Sequence, residues 1–212
     1  MLTIILMILA LIVIVAVVWL FKINFSKTDA PSETSQSSNP EANSSDFVSA
    51  LDRASERVTK KPFGIYITLE NSPVQPERFT GYHTGVDFEI FPGEENTEVS
   101  VKAVCAGKLI YRNYISGYGG VAGESCELNG QLIIVIYGHL KLDSIINKIN
   151  DELKAGEKIG ILGKSKSTET DSERKHLHLG FIKGEVMNLK GYVAIQAGLS
   201  DWIDPCEYVC GK

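Results

Sequence analysis

From about Lys61 onward, glycines cut the chain into short β-branched and aromatic runs, and this punctuation confines it to an architecture of short strands joined by turns. The runs are "FGIYITL", "TGVDFEIF", "VSVKAVCAGKLIYR", "QLIIVIYGHL", "EKIGILGK", "KHLHLGFI" and "GYVAIQA". Their lengths, residue types and flanking turn residues are those of strands. One segment departs from the pattern. "KLDSIINKINDELKAG" sets Leu142, Ile145, Ile146, Ile149 and Leu153 three and four apart and reaches Gly156, so the spacing predicts a helix. The expected folded unit is one mainly β, antiparallel domain over residues 61–212, with enough chain for a substantial core.

Upstream, the composition changes twice. Leu2 to Phe21 carries no charged residue, and a helix of that length, rising ~1.5 Å per residue, spans the ~30 Å hydrocarbon core of a bilayer. No basic stretch precedes it and no small-x-small site follows, so residues 1–22 are expected as an uncleaved transmembrane anchor rather than a signal peptide. "SKTDAPSETSQSSNPEANSSD" then has too few large apolar side chains to fold, and residues 23–60 are expected as a flexible linker. Near its end Phe47, Leu51 and Ala54 recur at helical spacing behind Asp46, which marks a candidate short helix. Lys22 and Lys27 follow the apolar run and no lysine precedes it, a bias that taken alone would leave the rest of the chain in the cytoplasm.

The 212 residues carry a net charge of -5 and no basic cluster longer than Lys60 and Lys61. Nucleic-acid binding needs a basic footprint, so that class is set aside. Nothing in the sequence bears on the oligomeric state.

The four histidines all fall in strands or at strand ends. In "RFTGYHTGVDFEI", strand alternation puts His83, Gly85 and Asp87 on one face and Tyr82 on the other. In "KHLHLGF" it puts His176 and His178 together, and His139 closes the apolar run "QLIIVIYGHL". A lone buried histidine is usually a hydrogen-bonded core residue. Two paired motifs with a carboxylate are more specific and point to a metal. The segment Tyr111 to Cys126 is expected to line or cover the cleft between them.

In order, His83-x-x-x-Asp87, the His139 of "YGHL" and His176-x-His178, with glycine-rich turns between, resemble the motifs of the lysostaphin- and LytM-type zinc metalloendopeptidases, peptidase family M23. "VKAVCAGKLIY" and "LKAGEKIGILGKSKST" are similar to that family's strand after the first motif and its hairpin before the last. The resemblance covers about Gly81 to Phe181. It implies the family's antiparallel β fold, the duplicated hybrid motif. It also implies a zinc ion held by His83, Asp87 and His178, with the fourth position left to water. His139 and His176 would flank that water as general base and as oxyanion stabiliser or acid, in an order the motif leaves open. Some members carry an oxyanion-stabilising tyrosine upstream of the first motif; Tyr82 is the nearest residue here, and alternation turns it away.

The implied substrate is a peptide bond of peptidoglycan, which lies outside the cytoplasm. Cys105, Cys126, Cys206 and Cys210 agree with that location, being even in number and free of any C-x-x-C pair. Cys105 is expected to pair with Cys126 across a glycine-rich excursion, and Cys206 with Cys210 where that segment is not a regular helix. Against the lysine bias, site and cysteines favour a single-pass cell-membrane protein with its catalytic domain external. Two alternatives use the same residues. An iron facial triad leaves His139 and His176 unexplained. A non-enzymatic peptidase-like module that binds or activates a cell-wall hydrolase typically lacks ligands, and here all are present.

Overall fold

The computed structural model describes residues 47–211. The apolar run expected as an anchor and most of the expected linker lie outside the described residues. Among the described residues no helix is long and apolar enough to cross a membrane.

The described chain is mainly antiparallel β. One helical turn, α1 (Ala54–Arg57), precedes twelve short strands. They are β1 (Tyr66–Ile67), β2 (Gly81–His83), β3 (Val86–Glu89), β4 (Ser100–Lys102), β5 (Gly107–Ile115), β6 (Gly119–Leu128), β7 (Gln131–Leu140), β8 (Glu152–Leu153), β9 (Lys158–Ile161), β10 (His176–Lys183), β11 (Tyr192–Val193) and β12 (Trp202–Ile203), before a last turn α2 (Cys206–Val209). The main sheet runs β12-β10-β7-β6-β5-β8, and β3 also pairs with β10. Along that edge of β10, residues 176–179 pair with β3 and residues 181–182 with β12. A three-stranded sheet β1-β2-β11 and the pair β4-β9 complete the structure.

The centre of β7 is apolar without alternation because it is buried on both faces. Ile133, Val135 and Tyr137 join the larger core with Phe88, Leu177 and Phe181, while Ile134 and Ile136 join a smaller one with Val121, Ile182 and Trp202. Burying a side chain of this size contributes roughly 1.5–3 kcal/mol, so the two layers together dominate the fold.

Phe47, Leu51 and Ala54 are all buried in the larger core, with the Phe47 ring 5.8 Å from that of Phe181. Val48 N donates to Val104 O and Lys102 N to Ala50 O, tying the segment to the β4 region. Arg57 is 1% exposed and reaches Glu94, Asp52 and the Glu89 carbonyl. Residues 47–60, which their place in sequence assigned to the linker, therefore carry core side chains.

The helix expected over 141–156 does not form. A 3-10 turn covers Leu142–Ser144, and the chain then reaches β8 without a helix, through a turn at Ile149–Asn150. Edge strand β5 has unpaired main-chain groups that recruit it: Asn150 N donates to Leu109 O and Leu109 N to Asp151 O. Asn150 takes φ 76, and three β-branched isoleucines favour extended chain. Ile145 is buried, but Ile146 is 84% exposed, so the apolar spacing does not describe one buried stripe.

Candidate active site

β10 organises the site. Its register sets His178 opposite Asp87 of β3 on one side and opposite Gly138 of β7 on the other. His83 comes from a different sheet: β2 ends at His83, the chain bends at Thr84 and Gly85, and β3 begins at Val86. The single strand expected through both motif residues is thus broken, and the bend brings His83 and Asp87 together. A Cβ on Gly85 would lie 2.5 Å from the Leu179 carbonyl oxygen and 2.7 Å from His178 Nε2, so the bend has no room for a side chain. His139 sits near the end of β7 at φ 62, a left-handed conformation that the Tyr118 O and Gly163 N hydrogen bonds to its main chain hold in place.

Three donor atoms converge. His83 Nε2 lies 3.0 Å from His178 Nδ1 and 3.3 Å from Asp87 Oδ1, and His178 Nδ1 lies 3.2 Å from Asp87 Oδ1. All three residues are at least 97% buried. Ligand atoms around tetrahedral zinc, each ~2.0–2.1 Å from the ion, stand about 3.3 Å apart, so the spacing fits. The outer nitrogens fit as well. His83 Nδ1 is 3.2 Å from the Pro62 carbonyl oxygen, and His178 Nε2 is 3.3 Å from the Tyr118 hydroxyl. With those nitrogens protonated, both inner nitrogens present lone pairs beside a carboxylate, an arrangement that a cation satisfies.

The ionisation states agree with this. Burial opposes charge on Asp87, but His176, His83 and the Arg174 guanidinium prevail and hold its carboxyl well below the usual range. Burial lowers His178 to about 4, only partly opposed by its hydrogen bond with Asp87. Burial, helped by the neighbouring His176 imidazole, holds His139 well below the ordinary imidazole value. Near neutral pH the site thus holds an anionic Asp87 and neutral His139 and His178.

His139 and His176 pack together beside the three donors, ring centroids 4.2 Å apart. His176 Nδ1 is 2.9 Å from the Arg174 carbonyl oxygen, so as the donor there it leaves Nε2 to accept a proton. His139 Nδ1 is buried with no hydrogen-bond partner. The cleft over these residues, about 320 Å³, is bounded by Phe79, Ser116–Tyr118 and Tyr192. The turn between β5 and β6 does line it, as expected for the Tyr111 to Cys126 segment.

Sequence reasoning passed over three neighbours of the site. Arg174 Nη2 donates to Asp87 Oδ2 at 2.8 Å and grips Glu89 through Nε. Alternation from His178 through His176 to residue 174 was a usable signal for it. Tyr118 is buried with its hydroxyl at His178, and "GYGG" was its only mark. Tyr192 lies 5.2 Å from the His83 ring and accepts from Lys61 Nζ at 3.0 Å, a contact nothing local announces. Tyr82 instead packs on Tyr66, 4.8 Å between centroids, away from the donors as alternation requires.

Paired donor and imidazole sets in one cleft define a hydrolase-type centre on an antiparallel β scaffold. The family model for peptidase family M23 matches residues 81–189, more than half of the chain, and the chain belongs to that family of peptidases. No protein of curated function matches it. Similar solved structures include LytU, 27% identical, with 72% of this chain and 83% of that one covered at a TM-score of 0.48. The catalytic domain of the antimicrobial peptidase lysostaphin from Staphylococcus simulans is 24% identical over 73% and 93% of the two chains, also at 0.48. A chain from the SpoIIIAH and SpoIIQ complex is 16% identical over 75% and 96%, again at 0.48.

Proposed function

We propose that the chain is a zinc-dependent endopeptidase that cleaves stem or cross-bridge peptides of peptidoglycan, working outside the cytoplasm from an N-terminal membrane anchor. The observation that carries the reading is the meeting of His83 Nε2, Asp87 Oδ1 and His178 Nδ1 within 3.3 Å of one another, beside two further imidazoles. Zinc held by these three would supply Lewis acidity, lowering the pKa of a bound water toward about 7 and polarising a peptide carbonyl.

The chain's own groups divide the remaining work. The Arg174 carbonyl holds the Nδ1 proton of His176, so a proton taken up would go to Nε2, which faces Asp87 Oδ2 at 3.3 Å, an arrangement that suits a general base. Burial keeps His139 neutral, and a neutral imidazole N–H can stabilise a developing oxyanion without first losing a charge. Phe79 and Tyr192, stacked at 5.5 Å, form an apolar wall for the substrate backbone.

The test is to incubate the full chain with purified peptidoglycan and identify new amino termini. Cleavage that a chelator abolishes and zinc restores supports the proposal. Wall binding without new amino termini, from a chain with all its ligands, would instead establish the non-enzymatic module.

A further inference from the structure

We propose that Tyr118 is a positioning residue for His178: its hydroxyl oxygen accepts the Nε2 proton and so fixes the tautomer and ring rotation that offer Nδ1 to a metal. The inference rests on the zinc reading above and extends it to a residue outside the motifs.

An imidazole gives one nitrogen to a metal only when the other carries the proton, and that proton needs an acceptor when it is buried. His83 meets the requirement with a main-chain carbonyl, that of Pro62. His178 has no carbonyl at its outer nitrogen. Among the described residues its Nε2 has one hydrogen-bond partner, the Tyr118 hydroxyl at 3.3 Å, and both residues are buried. The rings meet edge to face at 75°, with centroids 5.1 Å apart.

The fold clears space for this contact. A Cβ on Gly138 would lie 2.5 Å from Tyr118 Cδ1, and one on Gly191 would lie 3.1 Å from the Tyr118 hydroxyl oxygen. Two separate elements thus give up a side chain where the phenol passes. The main chain is fixed too: Tyr118 N donates to Ile115 O in the β5–β6 turn, and Tyr118 O accepts from His139 N. The hydroxyl is therefore set by the hairpin and by β7 before any metal arrives, and the second bond couples it to the strand end that carries His139.

The experiment compares metal-free full-length chain, in detergent, with its Tyr118→Phe and His178→Ala variants. Zinc affinity is read by competition with a chromophoric chelator, and unfolding temperature is measured without metal. Phenylalanine keeps the ring between the two glycines and removes only the acceptor. Tyr118→Phe should weaken zinc binding roughly 10- to 100-fold with a metal-free unfolding temperature near that of the parent. In nitrogen-edited spectra of the zinc-loaded parent, the His178 Nε2 proton should exchange slowly, and in Tyr118→Phe quickly. Parent and variant binding zinc equally would overturn the proposal while leaving the zinc reading intact. A weaker affinity matched by a lower metal-free unfolding temperature would assign the effect to packing and overturn it as well. A parent that binds no zinc, like His178→Ala, would end the zinc reading itself and this proposal with it.

Discussion

Arg174 Nη2 donates to Asp87 Oδ2 at 2.8 Å while Asp87 Oδ1 faces His83 and His178, so the two oxygens of one carboxylate serve different partners. The guanidinium occupies the oxygen that the metal set does not use and restricts rotation of the carboxylate. Glu89 balances its charge through bonds to Nε and Nη2. The charge of Arg174 also helps keep Asp87 ionised.

Replacing that guanidinium should therefore loosen the site in a pH-dependent way. In Arg174→Met, Asp87 loses one of the charges that depress its pKa, and protons compete with zinc at higher pH than in the parent. The pH at which half the zinc is lost should move upward, with Arg174→Lys intermediate because it keeps the charge without the fork. The buried Glu89 also loses its nearest partner but keeps Lys60 Nζ at 3.4 Å, so the loss of stability should be smaller than the ~3–5 kcal/mol typical of a buried charge left with no partner. Zinc content measured across a pH series checks the first effect, and chemical unfolding the second. Superimposable zinc curves would remove Arg174 from the site.

His139 and His176 should be needed for turnover and not for metal. Each lies beside the donor set without belonging to it, and they stack 4.2 Å apart. His139→Ala and His176→Ala should each lower peptide-bond cleavage by about 10² to 10⁴ while zinc stays near one per chain. Zinc and cleavage measured on the same preparations decide it. A variant that loses its metal identifies a ligand, and two variants with parental cleavage reject the division of roles.

The donor set was legible because its residues are chemically rare and sit on strands, where alternation predicts a face. For His176 and His178 that prediction rests on β10 as one continuous strand. For His83 and Asp87 the right neighbours emerged from a different path, since the chain bends at Gly85 between two sheets. The helix expected around Ile145 and Ile149 failed because apolar periodicity cannot register an unpaired sheet edge waiting for a partner. Tyr118, Tyr192 and the burial of Phe47 depend on contacts between elements far apart in sequence, which local pattern does not encode.

Cys105 pairs with Cys126 as expected, and Cys206 pairs with Cys210 although that segment forms a single helical turn, against the condition set for it, so none is left free. The first pair spans 21 residues and joins the lead into β5 to the body of β6, with both cysteines buried. The second closes an interval of only 4 residues around the single turn α2. Loop entropy makes the longer bridge the more stabilising one, at about 3 kcal/mol. A Cys105→Ala, Cys126→Ala double variant should thus lose more stability in chemical unfolding than the Cys206→Ala, Cys210→Ala one. The reverse order would show that the terminal bridge restrains more than its short loop.

Glu124 should make the domain less stable as pH rises toward neutrality. Its side chain is fully buried against the Cys105–Cys126 bridge; Oε2 accepts from the Tyr137 hydroxyl, and Oε1 has no partner. Burial pushes its pKa up to about 7, against the opposing hydrogen bonds of Tyr137 and Val104. Below about pH 4.5 Glu124 is protonated in both folded and unfolded chains, and its contribution is fully present. Above that the unfolded chain releases the proton first, so stability falls until the folded group also ionises near 7. Between pH 5 and pH 8 the loss from this residue should be roughly 2–3 kcal/mol. Glu124→Gln keeps the shape and an acceptor for Tyr137 but cannot ionise. Its unfolding free energy should change less over that interval than the parent's, by about that amount. Parallel pH profiles would mean that Glu124 ionises inside the fold as readily as it does in water.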